Sequence, residues 1–272
     1  MRHFALHHLV PASIRRALRD AVWLRQVRGA LRELESLPLR QAPSRAALDR
    51  LLRAWANDGW AAELEVLEEL AHHAATTPGP ILECGSGATT VLLAALAARR
   101  GVAVWVLEHE PQWAARVIRA LGPARAGTLH VCIAPLRNFG AFDWYDAPLS
   151  RMPDAFRLVV CDGPPETTRG GRYGVVPMLR DRVPRDAVLI LDNAGRPKQI
   201  DAMQRWRREA GASFKVHEHK TCQFAIVRFA AASPPRPGRR SSRAAANPVP
   251  PPRFDPTPRA PGASPAPPDS SH

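Results

Sequence analysis

Residues 80–90 read PILECGSGATT, an apolar run that breaks into a glycine-containing turn and continues into residues that favour a helix. Gly85 and Gly87 let the main chain turn tightly and approach a ligand with no side chain in the way, and the helix that follows offers unpaired amides at its N-terminus. A nucleotide-type ligand suits such a turn. The dinucleotide fingerprint wants a third glycine three residues after the second, where this chain has Thr90, so the pattern departs from that of NAD-dependent oxidoreductases. Glu83, two residues before Gly85, would repel a pyrophosphate and attract a cationic group such as an α-ammonium or a sulfonium.

Outward from this turn, apolar runs alternate with helical periodicity. ILEC, VAVWVLE, TLHVCIA, FRLVVCD and AVLILD read as strands, and helices are expected over 89–100, 111–121, about 175–182 and about 198–209. The last two strands, SFKVHEH and CQFAIVRF, are separated by a short polar link and form a hairpin. Alternation of this kind implies right-handed crossovers and a parallel sheet covered on both faces, with ligands at the carboxyl ends of its strands. The second strand ends in Glu108, where a carboxylate accepts hydrogen bonds from both hydroxyls of an adenosine-like ribose. Pro111 opens the next helix, which makes Glu110 a capping residue and His109 a surface neighbour.

Glu83-x-Gly85-x-Gly87, followed by Glu108 at the next strand tip, resembles motif I and the ribose-binding acid of the class I S-adenosylmethionine-dependent methyltransferases, over residues 60–229. The resemblance implies an α/β fold: a doubly wound, mostly parallel, seven-stranded Rossmann-like sheet with an antiparallel last strand and N-terminal helices. It implies S-adenosyl-L-methionine as cofactor, held by Glu83, Gly85, Ser86, Gly87, Thr89, Glu108 and Asp162. Asp162, Asp192 and Asn193 resemble the metal-ligand set of cation-dependent catechol-type O-methyltransferases, which implies Mg2+ as a second cofactor; Pro165 stands where that subfamily has a lysine. The stretch from Asp162 to Pro165 also resembles the Asp/Asn-Pro-Pro-aromatic loop of amino-group methyltransferases, with Glu166 at the aromatic position. Asp162 is the candidate catalytic residue. The structural alternatives are that Asp162 caps the turn after it and Asp192 the next helix.

Arg169, Arg172 and Tyr173, in a glycine-containing loop, are expected to clamp an anionic substrate. Trp144 and Tyr145 stand either near the adenine or substrate, or in the core. The expected reaction is methyl transfer to a small-molecule acceptor, a hydroxyl. An RNA acceptor is one alternative, and a non-catalytic methyltransferase-like scaffold is another. No HExxH, GxSxG or metal-spaced Cys/His pattern supports a hydrolase.

The chain of 272 residues carries a net charge of +13. Residues 1–60 hold 11 basic and 5 acidic side chains, and residues 230–272 hold 6 and 2, so the excess sits at the ends. Three segments follow: a basic helical extension (1–59), the cofactor-binding domain (60–230), and a tail (231–272) that holds 13 of the 28 prolines and is too poor in apolar residues to fold. In the extension, Ile14, Leu18 and Val22, then Leu24, Val27, Leu31 and Leu34, mark an amphipathic helix packed on its own domain and covering the site; helices over Ser44 to Ala56, capped by Ser44, and from about Gly59 to His73 come next. Four cysteines without CxxC spacing read as buried free thiols. With no membrane-length apolar run and no signal sequence, the expected location is the cytoplasm. Neither the acceptor nor the oligomeric state is legible.

Overall fold

The computed structural model describes residues 11–56, 62–123 and 127–229. The expected tail and the expected helix start at Gly59 lie outside them. Seven strands form one sheet: β1 (Ile81–Cys84), β2 (Val104–Glu108), β3 (Leu129–Ile133), β6 (Leu158–Cys161), β7 (Val188–Leu191), β8 (Ala212–Glu218) and β9 (Gln223–Phe229). Their order is β3-β2-β1-β6-β7-β9-β8, parallel except that β9 runs antiparallel to both its neighbours. The order reverses between β1 and β6, and that crevice is where an open α/β sheet receives its ligand. Two three-residue strands, β4 (Leu136–Asn138) and β5 (Asp143–Tyr145), make a separate hairpin that the sequence pattern does not disclose.

Strand alternation divides the core in two. Ile81, Val106, Val160 and Ile190 point to one face, beneath α1 (Ala12–Ser36), α2 (Arg45–Trp55), α3 (Leu64–Thr76), α4 (Ala88–Ala98) and α5 (Pro111–Leu121). Leu82, Leu107, Val159 and Leu191 point to the other, against the β4–β5 hairpin, α6 (Val175–Leu179) and α7 (Pro197–Ala210). Helix α4 is apolar all round because it is enclosed all round: it packs on α1, α3 and α5 as well as on β2.

The N-terminal helices dock through their own apolar stripes and through arginines. Ser44 caps α2, accepting the Ala47 amide at 3.3 Å, and Leu48, Leu51 and Trp55 are fully buried. Arg28 donates to the Arg119 and Ala120 carbonyls in the last turn of α5, and Arg100 to the Ala74 carbonyl in the last turn of α3. The orphan acceptors and negative ends of two helices are thereby met by cations. Two expectations fail. Only the second half of the α1 stripe is buried, at Val27, Leu31 and Leu34, while Ile14, Leu18 and Val22 face outward. Helices α1 and α2 also stack behind α4 and α5 rather than over the strand tips. Among the described residues no helix is long and apolar enough to cross a membrane.

Candidate cofactor and substrate cavity

A cavity of about 1100 Å³ opens at the carboxyl ends of β1, β2, β6 and β7. Its floor is the crossing of two turns. Gly85, at φ +89°, lies so close to the next turn that a Cβ there would stand 2.9 Å from the Gly163 nitrogen, and a Cβ on Gly163 would strike the Tyr145 hydroxyl. The Asp162 and Gly163 amides both donate to the Cys84 carbonyl, at 3.0 and 2.6 Å. Glycine is thus needed at Gly85 and Gly163 so that two main chains can touch. At Gly87 a Cβ would meet nothing within 4 Å. Thr90, where the dinucleotide fingerprint has glycine, accepts the Gly87 amide at 2.9 Å through its hydroxyl, a cap that a glycine cannot make.

Glu108 faces the cavity from the tip of β2. Its carboxylate accepts the Ser86 hydroxyl at 2.6 Å and the Glu110 amide at 2.9 Å, and His109 Nδ1 stands 3.0 Å away. Burial opposes its ionisation, but His109, Ser86 and the Glu110 amide outweigh burial and hold it below the usual carboxyl range. Glu108 in turn raises His109. His109, expected as a surface neighbour, is half-buried and lines the cavity beside Glu108, and Glu110 is the N-cap of α5 as expected, through its main chain rather than its carboxylate.

The other motif residues act from beneath. Glu83 is fully buried outside the cavity wall; it accepts the Thr89 hydroxyl and its second oxygen has no partner among the described residues. Burial pushes its carboxyl up to about 8. Glu83, Gly87 and Thr89 shape the turn, whereas Gly85, Ser86, Glu108 and Asp162 line the cavity. Trp113 of α5 also lines it and donates its indole N–H to the Ser86 carbonyl. Tyr145 lies in the core and at the cavity wall together; its hydroxyl is buried without a partner among the described residues, and burial keeps it protonated as a donor.

At the acceptor end, Asp162, Asp192 and Asn193 come together as expected, but around a guanidinium rather than a metal. Arg172, which is buried, donates to Asp162 Oδ1 at 3.1 Å and to the Asp192 carbonyl, and Asn193 donates to the Asp192 carboxylate. Among the described residues no group of three or more His, Cys, Asp or Glu is arranged to hold an ion. The expected Mg2+ finds no support here: the Arg172 guanidinium already brings positive charge to these oxygens. Burial, then the nearby Asp162, pushes Asp192 up to about 7.

The anion clamp does not form. Arg169 pairs with Asp143 at 2.6 Å, and Tyr173 donates to Glu209 beneath the Arg205 guanidinium, both outside the wall. Arg172 is spent internally. Residues that the sequence did not single out complete the chamber: Glu63, Arg196 and the β8–β9 turn His219–Gln223. That turn includes Cys222; only Cys84 and Cys161 of the four free cysteines are fully buried.

No family model and no curated protein matches the chain. Its fold is similar to that of solved methyltransferases. The SAH-bound methyltransferase PaMTH1 of Podospora anserina matches with a TM-score of 0.52 at 13% identity, over 82% of this chain and 99% of the other. The O-methyltransferase of Bacillus cereus in complex with SAH gives 0.47 at 14% identity, over 69% and 92%. At such identities the likeness is one of fold, and that fold is the Rossmann-like class I methyltransferase fold.

Proposed function

We propose that the protein transfers a methyl group from S-adenosyl-L-methionine to a hydroxyl of a small polar molecule. The observation that carries this reading is Glu108, an ionised carboxylate facing the cavity beside the Gly85–Ser86 turn, where the strand order reverses. The wall fits the cofactor. Glu108 would hold the ribose, the Gly85–Ser86 turn would carry the amino-acid part, and the unpartnered Tyr145 hydroxyl is a donor left for a ligand to satisfy.

When bound, the cofactor supplies a methyl group made electrophilic by its sulfonium. The chain's part is to orient the acceptor and take up the hydroxyl proton. Asp162, which lines the cavity and accepts from Arg172, is the group that would take it up. The volume exceeds what a single drug-sized ligand fills, which leaves space for an acceptor beside the cofactor. The wall carries six carboxyl groups (Glu63, Glu108, Glu110, Asp162, Glu166 and Asp192) against Arg172, Arg196 and Lys220. Such a wall disfavours both the anionic acceptor expected from the sequence and a nucleic-acid backbone.

Calorimetric titration with S-adenosylmethionine and its demethylated product, beside NAD, tests the reading. The first two are expected to bind and NAD is not. Glu108→Ala should weaken binding about 10- to 100-fold through loss of charge-assisted hydrogen bonds. A native protein that binds neither adenosyl ligand would sink the proposal. With binding established, release of demethylated cofactor on addition of hydroxylated small molecules, compared with tRNA, separates the acceptor classes.

A further inference from the structure

Helix α1 carries two apolar stripes on opposite sides. At roughly 100° per residue, Ile14, Leu18 and Val22 share a line about half a turn away from the line of Val27, Leu31 and Leu34. The second line is buried in the core, whereas Ile14, Leu18 and Val22 are 49%, 58% and 56% exposed. From Ala12 to Arg19 every residue of the helix is exposed, so the first turns carry an apolar stripe that the described residues leave largely uncovered. Arg19 borders the stripe on one side, and Arg25 continues it a turn further along. Asp20, the one acidic residue in this stretch, is turned to Arg119 of α5 at 3.2 Å.

We infer that this first half of α1 docks on an anionic lipid surface, with Ile14, Leu18 and Val22 entering the boundary between headgroups and acyl chains and the arginines meeting lipid phosphates. The arrangement selects that partner over two others. A second copy pairing through the same stripe would bring the Arg19 and Arg25 side chains of two copies together. Nucleic acid would meet the arginines but would gain nothing from a stripe of aliphatic side chains that neither stack nor hydrogen-bond. A bilayer carrying acidic headgroups satisfies both the apolar stripe and the charge. The site is independent of the cavity, so the inference does not rest on the methyl-transfer reading.

Co-sedimentation of the full chain with large vesicles tests it, using phosphatidylcholine alone or mixed with phosphatidylglycerol. The protein is expected to partition onto the mixed vesicles and stay in solution with the neutral ones. The double variant Leu18→Asp/Val22→Asp should weaken partitioning at least about tenfold, with its unfolding temperature and cofactor affinity unchanged because both side chains are exposed. Arg19→Glu should weaken it less, and added salt should reproduce that loss. Partitioning by the double variant at native strength would assign the interaction to another basic segment and overturn the inference. So would failure of the native protein to bind mixed vesicles, whether it then forms a Leu18-dependent dimer or binds tRNA instead.

Discussion

A carboxyl group buried from water, with one oxygen that no described residue partners, is held in its neutral form, and Glu83 is in that position. With its pKa at about 8 against an ordinary 4.5, the folded state keeps a proton that the unfolded chain gives up. The stability this confers is complete below pH 4.5 and is lost as pH rises through about 8. Glu83→Gln keeps the shape and the acceptor for Thr89 but removes the titration. Its unfolding temperature is therefore expected to gain on that of the native protein across this window, by the equivalent of a few kcal/mol. Parallel pH profiles for the two proteins would show that Glu83 is ionised when folded. Gly85 and Glu108 are legible in the sequence because each is fixed by its distance from a strand end, whereas the burial of Glu83 outside the cavity wall is not. The role of Arg172 is not, because its partners Asp162 and Asp192 lie 10 and 20 residues away and are reached only through the fold.

Elements of ten residues or more announce themselves by periodicity, and so do strands flanked by turn residues. The β4–β5 hairpin escapes because three-residue strands have no period to read, and Trp144 and Tyr145 look the same in sequence whether they pack or bind. Nor does periodicity say which face an element meets. On α1, α2 and α5 that is settled by Trp23, Trp55 and Trp113, which surround the Arg116 guanidinium with ring centres 4.6, 5.0 and 5.6 Å away. Arg116 and the Trp23 indole both donate to the Trp55 carbonyl, at 2.8 and 3.1 Å, while Trp113 reaches on to Ser86. The packing of three helices therefore ends on the turn that faces the ligand. Trp113→Phe retains a ring in the cluster and loses the N–H, a bond contributing about 0.5–1.5 kcal/mol. Cofactor affinity is expected to fall about three- to tenfold with little change in unfolding temperature, and Trp23→Phe should leave affinity unaltered. Equal affinity losses in both variants would mean that the cluster acts only through overall stability.

Across the whole molecule, the basic excess of the N-terminal region reads in sequence as the mark of an appendage, and the fold employs much of it internally. Arg28 closes a helix end on α5, Arg50 pairs with Glu33 between α1 and α2, and Arg45 of α2 meets Glu65 and Glu68 of α3. One continuous core joins Leu31, Leu48 and Trp55 to Leu92 and Val106. A boundary drawn where composition changes, near residue 59, thus crosses a region where the apolar faces belong together. Composition reports where charge lies along the chain and is silent about which carbonyls or carboxylates will meet it. Removing residues 1–56 would uncover the outer side of α4, an apolar helix whose ten residues Ala88–Ala97 are all buried, and burial of that kind contributes about 25 cal/mol per Å². The shortened chain is expected to lose its cooperative thermal transition and aggregate, although every cavity-lining residue is retained. A soluble fragment 57–272 that unfolds in one step and binds S-adenosylmethionine as the full chain does would show instead that the helices are dispensable to the core. In that case their arginines and the outward stripe of α1 would have to be explained by docking alone.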